Sequence, residues 1–86
     1  HWVALVVHPD KRAEYFDSFG FPPPIAVSEF IAPKRLEWSR KTIQNINSGV
    51  CGSYCIAFLY WVLLKDGNLA SFQRLFSDDV TQNRKI

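Results

Sequence analysis

Among the 86 residues, two cysteines and two histidines are the side chains best suited to nucleophilic and acid–base chemistry. One of each falls where it can be used. Cys51 stands where a polar stretch gives way to a long apolar run. A thiol at the start of a helix faces unpaired backbone N–H groups and the positive end of the helix dipole. Both favour the thiolate, which is the nucleophilic form. Gly52 follows and leaves room for a substrate backbone close to the sulfur. His1 opens an apolar segment, and Asp17 closes the next one. If the two segments pair as an antiparallel hairpin turning near Pro9–Arg12, Asp17 falls opposite the stretch between His1 and Ala4. With about 3.3 Å per residue along a strand, base and carboxylate then share one end of the sheet. A carboxylate in that position fixes the imidazole tautomer and stabilises the imidazolium. Gln44 lies seven residues before Cys51 and carries an amide able to donate to a developing oxyanion beside the Cys51 N–H. The chemistry these four residues suit is acyl transfer through a thioester, with no metal or organic cofactor.

Cys55 comes one helical turn after Cys51 and reads as core filler, as free buried cysteines usually do. A zinc site made of Cys51, Cys55, His1 and His8 is disfavoured. Cys-x3-Cys inside a helix lacks the usual knuckle spacing, and the two histidines sit at opposite ends of one strand. His8, next to Pro9, reads as a turn residue.

The elements that must position these groups follow from the pattern. Residues 1–8 are β-rich and nearly continuous in apolar character, which predicts a strand buried on both faces. Pro9–Arg12 has turn chemistry, and Ala13–Asp17 returns as the second strand of a hairpin. The segment 18–24, with its three prolines and one glycine, is a loop. Ile25–Ile31 suits a short helix stopped by Pro33. Leu36–Gln44 alternates around Trp38, Thr42 and Ile43 and is expected to be a further β segment ending at Gln44. A polar loop over 45–50 leads into a helix from Cys51 to Lys65, apolar on every side from Ile56 to Leu64, as for a helix in the middle of a domain. Asp66-Gly67 stops it. Leu69, Phe72, Leu75 and Phe76 then form one face of a short helix capped by Asn68. The last ten residues are polar and expected to fray. The order ββ-α-β-α-α predicts an α+β domain over 1–86, a small mixed sheet packed on a central buried helix.

Three groups of residues carry a resemblance. His1-Trp2, then Phe16-Asp17-Ser18-Phe19-Gly20, then Gln44 followed by Ser48-Gly49-Val50-Cys51-Gly52, are similar to the motifs of the adenovirus-type maturation protease (adenain). That family shares a clan with the SUMO-specific cysteine proteases. The sequence resembles more closely still the adenain-like proteases of virus-derived DNA transposons and related viruses, over most of its length. The resemblance implies a papain-like active site in circularly rearranged order, His…Asp…Gln…Cys. On it, His1 matches the base, Asp17 the orienter, Gln44 the oxyanion donor and Cys51 the nucleophile, and Trp2 matches the indole that shields the site. The adenoviral enzymes carry Glu where this chain has Asp17, whereas the SUMO-protease branch carries Asp. They are also activated by a viral peptide tethered through a disulfide to a cysteine upstream of the nucleophile. No cysteine lies between His1 and Cys51 here, so any activating peptide or DNA would act without that tether. Because the family has a helical segment before the histidine that forms one wall of the cleft, these residues are expected to belong to a longer enzyme.

Composition sets the remaining bounds. Apolar residues make up 48% of the chain, aromatics 15% and charged residues 21%, with a net charge of +2. That balance argues against disorder and is too mild to point to nucleic acid on charge alone. Two cysteines four residues apart make no disulfide framework and suit a reducing, intracellular setting. The longest apolar run, Ile56 to Leu64, falls far short of the roughly 20 residues that span a bilayer. The expected partner is a protein substrate, the expected state a monomer, and the resemblance implies a host nucleus or a virion. Two other functions compete with precursor processing: an isopeptidase for ubiquitin-like modifiers, and a non-catalytic binding module of the same fold.

Overall fold

A polar turn between two β-prone apolar runs closes the chain on itself at once. The computed structural model describes residues 1–32, 34–44 and 51–76. In it, β1 (Ala4–Val7) and β2 (Arg12–Phe16) pair antiparallel, with Ala4 opposite Phe16 and Val7 opposite Ala13. The turn is tied by His8 N–H to Arg12 O (3.1 Å) and by Arg12 N–H to the Asp10 carboxylate (2.9 Å), an aspartate bonding the backbone two residues on. After the proline-rich loop, α1 (Ile25–Ile31) starts from Pro24, whose carbonyl accepts from Val27 N–H at 3.0 Å. β3 (Arg35–Trp38) returns parallel to β2 and completes a mixed sheet in the order β1-β2-β3. α2 (Cys51–Leu64) and α3 (Leu69–Gln73) follow. The result is a small α+β fold of three strands and three helices among the described residues, in the order the sequence predicts.

Strand alternation decides where the core lies. Ala4, Val6 and Phe16 join Phe58 and Val62 of α2 and Leu69 and Phe72 of α3 in one buried cluster. Its centre is aromatic. The Phe16 ring stacks on Phe58 with centroids 5.1 Å apart and meets the edge of Phe72 at 5.4 Å, geometries that suit the ring quadrupole. Glu14, on the same sheet face as Phe16, is fully buried, and both its carboxylate oxygens are used. Oε1 accepts from Leu69 N–H at the start of α3 (2.7 Å), and Oε2 lies 2.8 Å from His8 Nε2. A buried carboxylate is tolerated where it is bonded in this way, and here it cross-links the hairpin to α3.

Four expectations need correction. Leu75, expected on the apolar face of α3 with Leu69, Phe72 and Phe76, lies past the helix end at Gln73 and is exposed. β1 is not buried on both faces. It is an edge strand in which Ala4 and Val6 are buried and Val7 is exposed, because the helices cover only one side of it. The third strand starts at Arg35 and ends at Trp38, not at Gln44. The chain leaves the sheet there to bring Ile43 and Gln44 under Ser18, whose carbonyl accepts both of their N–H groups (2.9 and 3.1 Å). α2 is not enclosed. Tyr54, Cys55, Phe58 and Val62 are buried, while Ile56, Tyr60, Leu63 and Leu64 are exposed. One sheet face and one short helix can cover only one side of a 14-residue helix.

At the end of α2 the left-handed residue is Asp66 (φ 56°). Gly67 is needed for space instead, since a Cβ there would run into the Trp61 indole. Asn68 caps α3 as predicted, accepting from Ser71 N–H (2.8 Å), while the Ser71 hydroxyl accepts from Asn68 N–H (3.0 Å). The loop expected over 45–50, the frayed end expected over 77–86 and the stop at Pro33 lie outside the described residues. Among the described residues no helix is long and apolar enough to cross a membrane.

Candidate active site

The hairpin register places the residues preceding β1 alongside those following β2. There His1 Nε2 lies 2.9 Å from Asp17 Oδ1. Asp17 is 3% exposed and rigidly held. Its N–H donates to Ser39 Oγ (2.8 Å), and the Ser39 hydroxyl donates back to Asp17 O (3.0 Å). The same Oδ1 accepts from Phe19 N–H (2.8 Å). Burial pushes the Asp17 carboxyl above its ordinary value, and the Phe19 N–H bond opposes that only in part. The His1 ring lies flat on Phe19, with centroids 4.6 Å apart and planes 10° from parallel. Contact with Asp17 through Nε2 leaves Nδ1 as the ring nitrogen for proton exchange with a substrate or a nucleophile. The turn that carries Phe19 favours Gly20, because its φ of +79° and its close approach to the Lys41–Thr42 backbone (3.1 Å from a Cβ position) would strain any side chain.

Cys51 opens the described part of α2. Its Sγ accepts from Trp2 N–H at 3.3 Å, so the sulfur lies against the peptide that follows His1. The Trp2 indole is largely exposed and packs over Gly52, its Cδ1 3.3 Å from where a Cβ would stand. The room at Gly52 is thus shared with that indole. Cys55, one turn on, is buried, and burial, followed by the neighbouring Cys51 and Asp17, pushes its thiol up to about 11. Both cysteines are free.

Gln44 is buried, not displayed on a strand end. The Ser18 hydroxyl donates to its Oε1, and Gln44 N–H donates to Ser18 O (3.1 Å). The structure therefore brings His1 directly to Asp17, Cys51 to the His1-Trp2 backbone, and Gln44 to the residue after Asp17. Three residues hold these groups in place: Ser18 and Phe19, which the sequence offered only as members of the Phe16–Gly20 motif, and Ser39. Ser18 and Phe19 were signalled by adjacency to Asp17. Ser39, a serine just past a strand, gave no signal. Among the described residues no group of three or more His, Cys, Asp or Glu side chains is arranged to hold a metal ion.

Compared with protein families, with curated proteins and with solved structures, the chain shows no match.

Proposed function

We propose that the protein is a cysteine endopeptidase of the adenain type, cutting viral or transposon precursor proteins at Gly-Gly-type sites from a papain-like active site in rearranged order. One observation carries the reading. His1, Asp17 and Cys51, distant in sequence, meet at one end of the sheet, with His1 on a buried carboxylate and the Cys51 sulfur on the adjacent peptide N–H.

In this mechanism the Cys51 thiolate, paired with the His1 imidazolium, attacks the substrate carbonyl carbon. The carbonyl π electrons move to oxygen, where the Cys51 N–H and the Gln44 amide hold the charge. His1 gives its proton to the leaving amine as the C–N bond breaks, leaving a thioester. His1 then takes a proton from water, which displaces the thiolate. Asp17 keeps Nε2 protonated and Nδ1 directed to the chemistry. The Trp2 indole over Gly52 narrows the approach to the sulfur, which suits substrate residues without side chains. No cofactor enters. The reading places the enzyme in a reducing intracellular setting, in a host nucleus or a virion, as a monomer whose activator, if it has one, is a peptide or DNA held without a disulfide.

Wild type, Cys51→Ala and His1→Ala should be assayed on a Gly-Gly-containing peptide and on a SUMO-type conjugate. Peptide cleavage lost in both variants is the expected result. Cleavage of the conjugate alone would make the protein an isopeptidase. Binding without cleavage by the wild type would make it a non-catalytic module.

A further inference from the structure

We infer that Ser18 is a positioning residue for the oxyanion donor, its hydroxyl deciding which edge of the Gln44 carboxamide is turned toward the reacting carbonyl. The inference rests on the thiol-protease reading of the site.

A glutamine amide has two edges of nearly equal shape and opposite chemistry, a carbonyl that accepts and an NH2 that donates. Only the NH2 can stabilise an oxyanion, and a flipped amide would aim a lone pair at the developing charge. Something has to choose. Ser18 and Gln44 are both almost completely buried, at 0% and 1% exposure, so water cannot serve as the partner of the serine. A buried hydroxyl needs an acceptor for its proton. Among the described residues, the acceptor that the Ser18 hydroxyl reaches is Gln44 Oε1. With Oε1 held there, the NH2 is turned away from Ser18.

The backbone makes the arrangement rigid without using the hydroxyl. Ser18 O accepts from Ile43 N–H (2.9 Å) and from Gln44 N–H (3.1 Å). Segment 43–44 is thus moored by one atom of Ser18 and its side chain oriented by another. This separation means that removal of the hydroxyl leaves the mooring intact. The preceding residue, Asp17, orients His1, so two consecutive residues leaving β2 set the base and the oxyanion donor.

The test is a double-mutant cycle on the peptidase activity of the full chain. Ser18→Ala should lower kcat by about tenfold with KM unchanged, short of the ~10²-fold expected from loss of the donor itself in Gln44→Ala. In the Gln44→Ala background, Ser18→Ala should have no further effect, because there is no amide left to orient. Ser18→Thr, which keeps the hydroxyl, should hold kcat near wild type. Equal losses from Ser18→Ala in both backgrounds would overturn the inference and leave the protease reading standing. Full activity in Gln44→Ala would remove Gln44 from the oxyanion hole, and the inference with it. A second readout needs no variant. In the wild-type NMR spectrum, nuclear Overhauser contacts from Ser18 should be weak at the Gln44 NH2 protons, and strong contacts there would show the opposite flip.

Discussion

The proposed mechanism needs Asp17 charged in a place where charge is costly, and that conflict sets its behaviour with pH. Burial raises its carboxyl from the ordinary 3.8, so between 3.8 and the raised value the folded chain holds a proton that the unfolded chain has lost. Stability therefore falls as pH rises through that window. Asp17→Asn removes the titration while its side-chain oxygen can still accept from Phe19 N–H. The variant should lack this part of the pH slope in urea unfolding between about pH 3.5 and 7, and be no less stable than wild type at pH 7. Its kcat/KM should nonetheless drop ~10³–10⁴-fold, since a neutral amide can leave the imidazole in the wrong tautomer. A parallel loss of stability at pH 7 would make Asp17 a structural residue. The two cysteines separate by the same physics. With its thiol pushed to about 11 and its side chain buried, Cys55 should stay unmodified while iodoacetamide alkylates Cys51 near pH 6.5, as read by peptide mass mapping. Preferential labelling of Cys55 would undo the assignment of the nucleophile.

Whether an element could be read from the sequence depended on whether its cause was local. The hairpin was legible because turn residues sit between two β-prone runs, and α1 because prolines bracket it. The Asn68 cap was legible because capping is settled within four residues. The end of β3 was not, since Ser18, far back in the chain, captures the N–H groups of residues 43 and 44. Nor was the open side of α2, which depends on how much sheet and helix exist to cover it. For the site, the pairing of His1 with Asp17 followed from strand register, whereas the burial of Gln44 followed from a contact no spacing reveals. Glu14 is the same kind of case. A carboxylate within a strand gave no hint that it would bond Leu69 N–H across 55 residues. Glu14→Ala should strip α3 of that bond and leave His8 without its partner, lowering stability by about 1–3 kcal/mol. Hydrogen exchange should locate the loss, with protection at Leu69 falling more than at the β1–β2 pairs. Uniform loss across the fold would mean that Glu14 supports the core as a whole and not the docking of α3.

At the scale of the whole fold, covering is one-sided among the described residues. The core cluster lies between one sheet face and the helices, while the far side of α2 presents Ile56, Tyr60, Leu63 and Leu64 at 70%, 50%, 64% and 71% exposure. These positions recur at helical spacing, so they form a continuous stripe and not scattered surface leucines. A stripe of this kind binds hydrophobic dyes and drives association as concentration rises. The double variant Ile56→Lys/Leu63→Glu separates surface from core. Both side chains are already mostly in solvent, so their replacement should change stability by no more than about 0.5 kcal/mol. Dye binding should fall, and the sedimentation coefficient should become independent of concentration. The proposed peptidase activity should be retained, because Tyr54, Cys55 and Phe58, which join α2 to the core beneath Cys51, are untouched. A sharp fall in thermal stability instead would show that this face is packed in solution, and that the open side of α2 is covered by part of the chain itself.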